Sequence, residues 1–421
     1  RSDSRAMRSD LHLQHDLIAV EHGETIHALL ELTAPAMPGA SERPPATLEV
    51  VIDRSGSMRG ERLSAALVAL DALVGRLRPT DRLGVVAFDH AVQVPVAAGP
   101  VGDGTAVRAA LGRIHPGGMT NLSGGLLRGI QEARRVAGEE GATVVLLSDG
   151  HANQGVTDHA RLEAFAGGAH GARISTSTIG IGLGYDEDLL AAIARGGGGN
   201  AHFAPDGDEA GRALASEVEG LLTQTAQAVS LTVRPSREVA AVRLFNDLPS
   251  TPIEGGFMVE LGDLYSEETR RLVLEIDVPA IAELGLAQVC ELELRWVDLR
   301  TMRSELATIP VHVNVVPGDQ AAGRTENAKV VTELAFQRAQ RAKRAAADAL
   351  RDGDVGRADS IWRGAAHALR AAPALDPSGE LAREAALLEE LADQSWRDAM
   401  HARKRARADH HMKARRRGRE L

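Results

Sequence analysis

Three short stretches of this sequence gather oxygen-bearing side chains of the kind that hold a cation. The apolar run VVID leads straight into RSGSM, giving Asp53-x-Ser55-x-Ser57, one carboxylate and two hydroxyls. PGGMTNLSGG presents Thr120 just before a predicted helix, and LLSDGHAN places Asp149 at the end of another apolar run. All five donors are oxygens, anionic and neutral mixed, which suits a hard cation. Mg²⁺ fits such a set, since it wants near-octahedral geometry and keeps some of its water. Mn²⁺ and Ca²⁺ suit the same oxygens. Two carboxylates balance the charge of a divalent ion, so an open coordination position still attracts an anionic oxygen. The pattern contains no Cys, and no His stands at zinc spacing. Taken singly, each Asp, Ser or Thr is equally a turn or helix-cap residue; the signal lies in the set and its order.

Those donors need elements that bring them to one edge. From about residue 47 to about 224, short apolar runs alternate with amphipathic helical stretches. LEVVID is a predicted strand ending at Asp53. Leu63, Leu67, Leu70, Leu73 and Leu77 follow at helical spacing. RLGVVAFD, VQVPV, ATVVLLSD, RISTSTIGIG and NAHFA read as strands. TAVRAALGRI, NLSGGLLRGIQEARRVAG, YDEDLLAAIAR and DEAGRALASEVEGLLT read as helices. The alternation predicts an α/β, doubly wound, mostly parallel sheet covered on both faces. In open sheets of this class ligands gather beyond the carboxyl ends of the strands, where Asp53 and Asp149 stand.

From about 226 to 317 the period changes to two. Leu272, Leu274, Ile276 and Val278 fall on one face, as do Cys290, Leu292, Leu294 and Trp296, and Val311, Val313 and Val315. These read as antiparallel strands of a β-sandwich. DLIAV and TIHALLELTA, within residues 10–46, have the same character. The α/β domain, 47–224, is therefore expected to be inserted in an antiparallel β-sandwich made of 10–46 and 226–317. Linkers are expected at 35–45 and at Pro317-Gly318. Residues 320–421 are rich in Ala, Arg and Glu and predict a C-terminal α-helical region. Two helices join at Gly353, and a third carries Leu381, Ala385, Leu388, Ala392, Trp396 and Ala399; the tail beyond Arg403 is expected to fray.

The whole chain has 421 residues, enough for two or three domains. Its 44% hydrophobic and 25% charged residues are a globular composition. Aromatics are only 3%, so Leu, Val, Ile and Ala must build the cores. A net charge of −10 argues against a general nucleic-acid binder. No stretch approaches the roughly 20 apolar residues of a membrane-spanning helix. The single cysteine, Cys290, and a polar N-terminus without a signal-peptide core point to a cytoplasmic setting, although position 1 is not Met and the terminus reads as trimmed.

DRSGSM, the Thr120 loop and SDG together resemble the metal-ion-dependent adhesion site of von Willebrand factor type A domains. TIGIGLGYDEDLLAAIARGGGGNAHFA resembles that family's final strand–helix–strand. The resemblance covers about 47–224 and implies a Rossmann-like fold with all five metal ligands in place. By that resemblance Ser55 and Ser57 bind Mg²⁺ directly. Asp53 and Asp149 bind largely through water, and Thr120 binds directly or through water. The remaining position goes to an Asp or Glu of a protein partner. The implied function is metal-dependent protein binding. The alternative is an adaptor subunit working beside an AAA+ ATPase in metal insertion or complex remodelling, since the chain has no Walker A motif of its own. No G-x-S-x-G or two-metal carboxylate cluster is present, so an enzyme is not expected.

Other motifs have plainer readings. Gly180, Gly182 and Gly184 lack the Lys-Ser/Thr of a phosphate loop and read as a tight turn. His151, His159 and His170 suit no metal spacing and are expected at the surface. Cys290 is expected inside the sandwich. The basic run from Arg403 to Arg419 reads as a solvated helix end rather than as an arm for anions.

Overall fold

The computed structural model describes residues 6–37, 43–149, 152–237, 239–372 and 378–414. Two compact units emerge. One comprises Met37–Gln227 with Leu299–Met302; the other comprises Arg1–Ala36, Ala228–Asp298 and Arg303–Leu421. The chain opens in the latter with β1 (Arg8–Leu13), β2 (Leu17–Ala19) and β3 (Glu24–Thr33).

The first unit is a six-stranded sheet with helices on both faces. Its strands are β4 (Thr47–Asp53), β5 (Arg82–Phe88), β6 (Val92–Pro100), β7 (Ala142–Ser148), β8 (Ile174–Ile181) and β9 (Gly198–Ala204), in the order β6-β5-β4-β7-β8-β9. All neighbours are parallel except β5 and β6, which form an antiparallel edge. Its helices are α1 (Glu61–Val74), α2 (Thr105–Leu111), α3 (Leu122–Val136), α4 (His159–His170), α5 (Glu187–Gly196) and α6 (Gly207–Leu222).

Every residue of β4 and of β7 is buried, as a strand covered on both faces requires. Leu48, Val50 and Ile52 pack with Leu63, Leu70, Leu214 and Val218 on one face. Val51 packs with Leu126 and Ile130 on the other. Helix α3 lies unusually close to the sheet. A Cβ at Gly125 would stand 2.4 Å from Phe88, and one at Gly129 would stand 2.2 Å from Val51. After β4 the chain turns to β5 on one side, while β7 pairs on the other. The switch in direction therefore falls at β4, and the loops after β4 and β7 open beside each other.

Two local expectations differ. Helix α4 was not anticipated, because HARLEAFAGGAH has weak apolar periodicity; Asp158 starts it by accepting a hydrogen bond from the Arg161 N–H at 2.8 Å. Leu77 lies beyond the end of α1 yet still packs against the core.

In the second unit β10 (Gln224–Pro235, in this unit from Ala228), β11 (Ala241–Leu244), β12 (Thr251–Ile253), β13 (Gly256–Tyr265), β14 (Thr269–Val278), β15 (Gly285–Asp298) and β16 (Arg303–Val316) complete two sheets. Their orders are β1-β3-β14-β11 and β12-β13-β10-β15-β16-β2. The early strands do join the later ones: β3 pairs with β14 from Glu24↔Val278 to Thr33↔Thr269, and β2 pairs with β16. Arg270, buried on β14, donates to the carbonyls of Leu261 and Asp263 on β13 and so ties one sheet to the other. Cys290 is buried in β15, and burial pushes its thiol up to about 12. Strand β1 was not anticipated, since it is a polar edge strand with little burial to impose alternation.

The C-terminal helices are α7 (Gly318–Ala322), α8 (Ala328–Arg351), α9 (Val355–Ala371), α10 (Glu380–Ser395) and α11 (Ala399–Ala414). Pro317-Gly318 is thus a helix start rather than a plain linker. The expected third helix is two: α10 stops at Ser395, Trp396 is left exposed, and Ala399 begins α11. As far as Ala414, the basic tail is also not a frayed end. Lys343 of α8 is fully buried and bridges Glu384 of α10 to Asp409 of α11. Lys413 bonds Glu384 at 2.8 Å, and Arg405 bonds Glu390 at 2.6 Å. The basic residues of α11 dock against acids of α8 and α10, a pairing between positions too distant in sequence for periodicity to reveal. The remainder of the basic run, from residue 415, lies outside the described residues.

Candidate metal centre

The turn after β4 is fixed by its own side chains. The Ser55 backbone N–H donates to Asp53 Oδ1 at 2.8 Å, and Ser148 at the end of β7 donates its hydroxyl to Asp53 Oδ2 at 2.6 Å. Ser57 donates to Asp149 Oδ1 at 2.7 Å, and the Ser55 and Ser57 hydroxyl oxygens are 3.0 Å apart. Asp53, Ser55 and Asp149 are buried while Ser57 is exposed, so the group is closed below and open above.

Thr120 reaches this group through backbone. The Gly117 N–H donates to the Arg54 carbonyl at 2.6 Å, and the Gly56 N–H donates to the Gly118 carbonyl at 2.9 Å. These bonds lay the Thr120 loop against the Asp53 turn. The Thr120 N–H donates to Asn153 Oδ1 at 2.9 Å, which joins it to the loop after β7. Four of the five residues are thus linked through side chains, and the fifth sits on a loop hydrogen-bonded to the same turn.

Burial pushes the Asp53 carboxyl above the usual carboxylate range. Hydrogen bonds from Ser148 and Ser55 oppose that shift, and the charge of Asp149 adds to it. Two buried carboxylates facing one opening attract positive charge, and Arg62 of α1 answers it with Nη1 2.5 Å from Asp149 Oδ2. Two carboxylates and two hydroxyls at one opening, with the Thr120 loop laid beside them, are a donor chemistry that fits a hard divalent ion. Among the described residues no three or more His, Cys, Asp and Glu side chains come together as a group that could hold a metal ion.

Several supporting residues were missed. Asp89, at the end of β5, accepts from the backbone of Ala91 at 2.8 Å and Gly118 at 3.0 Å and from Arg54 at 3.1 Å. Burial works against ionisation there, but these bonds hold the carboxyl below its usual range. The rule that flagged Asp53 and Asp149, a carboxylate at a strand end, would also have flagged Asp89. Ser148, Asn153 and Arg62 carry no such signal. His159 is exposed as expected, while His170 is only partly so and packs against Gly198; His151 lies outside the described residues.

A second polar cluster joins β8, β9 and α6. Ser177, Asn200 and His202 all bond Glu217, at 2.5, 2.7 and 2.6 Å. Against the effect of burial, these bonds draw Glu217 down to about 2. Ser177 and His202 meet the same carboxylate rather than each other, so the nucleophile–base contact of a hydrolytic triad is not what is built. The cluster anchors α6.

Residues 48–151 match the family model of the von Willebrand factor type A domain. An uncharacterized protein of Synechocystis sp. is 28% identical over 284 residues, covering 65% of this chain and 66% of that protein. Inter-alpha-trypsin inhibitor heavy chain H1 of Bos taurus is 33% identical over 149 residues, 33% of this chain and 16% of that protein. This chain therefore spans just under two thirds of the first relative and a small part of the second. A solved structure, von Willebrand factor type A from Catenulispora acidiphila, superposes with a TM-score of 0.71 at 18% identity, covering 93% of this chain and 90% of that one. At that identity the likeness is one of fold, and it extends over both units. No helix among the described residues is long and apolar enough to cross a membrane.

Proposed function

The chain carries a von Willebrand factor type A domain, and from that premise we propose that the domain is a Mg²⁺-dependent protein-binding module capturing an Asp or Glu of a partner. Domains of this family mediate protein interactions. The observation that carries the reading here is the convergence of Asp53, Ser55, Ser57 and Asp149 on one opening beside the Thr120 loop. These five residues would hold the ion, and Mn²⁺ or Ca²⁺ would suit the same oxygens. The bound cation supplies an electrophilic position for a carboxylate oxygen.

The rim speaks to the rest of the partner. Met119 is 55% exposed beside Thr120, and Leu183 is 38% exposed. Leu183 stands between Gly182, which lies against Arg62, and Gly184, which lies against the Asp149 carbonyl. An acidic side chain with an apolar neighbour complements this surface better than an isolated charge does. Replacing Met119 by Ser is expected to weaken partner capture roughly tenfold, the worth of one partly buried apolar side chain, and to leave Mg²⁺ affinity unchanged. Calorimetry with metal and with the captured partner separates the two effects.

The decisive experiment is capture of partners from extract by the immobilised full chain in Mg²⁺ and in EDTA. Proteins retained only with Mg²⁺ and released by EDTA support the reading. Retention that is equal in EDTA overturns it.

A further inference from the structure

The metal reading leaves Arg62 unexplained. It is the second residue of α1, and its Nη1 lies 2.5 Å from Asp149 Oδ2 and 3.4 Å from the Ser57 carbonyl oxygen. Room for it is made at Gly182, where a Cβ would stand 3.1 Å from Arg62 Nη2. Asp149 is buried, with one oxygen on Ser57 and the other on Arg62. Arg54, which precedes Ser55 in the same turn, is held by Asp89 and the His115 carbonyl. Resting on the metal reading, we propose that Arg62 is the site's resident counter-cation. It neutralises Asp149 in the metal-free protein and gives up Oδ2 when a divalent ion is held, so it sets the affinity for that ion.

The physical case has two parts. A buried carboxylate without a cation is costly, and the guanidinium removes that cost in the absence of metal. Once a divalent ion is present, the same guanidinium is a like charge a few ångströms away in a medium less polar than water, and the two repel. Arg62 can leave cheaply. Its side chain is 42% exposed, and from the first turn of α1 it reaches solvent without moving the helix. Metal binding and the Arg62–Asp149 ion pair are then antagonistic, and by linkage each weakens the other. A purely positioning Arg62 would act in the opposite sense, because its loss would loosen Asp149 and weaken metal binding.

The test is Mg²⁺ and Mn²⁺ titration calorimetry on the full chain for wild type, Arg62→Gln, Arg62→Lys and Asp53→Ala, with melting temperatures recorded with and without metal. Arg62→Gln is expected to bind Mg²⁺ roughly tenfold more tightly than wild type. Without metal it should melt lower, with metal it should gain more, and Arg62→Lys should fall between. Arg62→Gln binding no more tightly than wild type, while Asp53→Ala loses binding, overturns the Arg62 assignment and leaves the metal reading standing. Metal binding indifferent to Asp53→Ala, or absent from wild type and Arg62→Gln alike, overturns both.

Discussion

Exchanging Asp53 for Ala is expected to abolish Mg²⁺ binding, and with it Mg²⁺-dependent capture of the partner, while the sheet stays folded. Asp53 ends the central strand, and it organises the turn as well as contributing a carboxylate. One oxygen takes the Ser55 N–H and the other takes the Ser148 hydroxyl. Its loss takes this acceptor from two buried donors, at a cost of up to about 1–3 kcal/mol for each. Part of that is offset, because burial and the Asp149 charge already disfavour an ionised Asp53 in the metal-free protein. The apolar contacts of Leu48, Val50, Val51 and Ile52 are untouched, so unfolding should remain cooperative and shift by only a few degrees. The functional change is read separately. At a hundredfold excess over its dissociation constant, metal stabilises a competent site by about 2.7 kcal/mol, and the variant should gain nothing. Thermal unfolding with and without Mg²⁺, alongside calorimetric titration, reads both effects. A variant that keeps wild-type metal affinity within about threefold would remove Asp53 from the site.

The residues named in this argument differ in how far the sequence exposes them. The places of Asp53 and Asp149 at or just past strand ends are legible because the alternation of strands and helices marks where β4 and β7 stop, and Thr120 is legible as a residue just before a helix. Burial on both faces also leaves β7 as a largely apolar run and β4 as one interrupted only by Glu49 before its closing aspartate. The period-two runs of β14, β15 and β16 are legible for the complementary reason, since alternate residues of each run are buried against the interior. Arg62 and Ser148 are not legible as partners of Asp149 and Asp53. Their roles depend on distances across the sheet edge that no local pattern records. The basic run after Arg403 misleads in the same way. Read alone it is a solvated tail, yet Lys343, Glu384, Asp409 and Lys413 form a charge-balanced cluster across three helices. Helix α4 is not legible in the sequence because its burial rests on Leu162, Ala166 and Ala169, an apolar stripe too thin to stand out beside Gly167 and Gly168.

Replacing Glu49 by Gln is expected to stabilise the protein progressively as pH rises, although Glu49 gives no hint of this in the sequence. It sits mid-strand in β4 with its carboxyl fully buried, and neither oxygen has a hydrogen-bond partner. Its room comes from Gly84, where a Cβ would stand 1.9 Å from Glu49 Oε2. The nearby arginines are committed elsewhere, Arg128 and Arg135 pairing with Glu132 at 2.8 and 3.0 Å. Burial, reinforced by the charge of Glu132, therefore pushes Glu49 up to about 9, and the group is a neutral acid at pH 7. The folded chain holds this proton more tightly than the unfolded chain, whose Glu ionises near its model value of 4.5. Its contribution is therefore fully present below about 4.5 and is lost as pH rises towards about 9. Gln occupies the same volume with no proton to take up. The stability difference between the variant and wild type should grow by up to about 1.4 kcal/mol per pH unit, or roughly 3 kcal/mol between pH 5.5 and 8. Urea unfolding of both proteins across that range isolates the effect, because every other titrating group is common to the pair. A difference that stays flat with pH would mean that Glu49 is ionised inside the sheet, held by a cation that its surroundings do not otherwise supply.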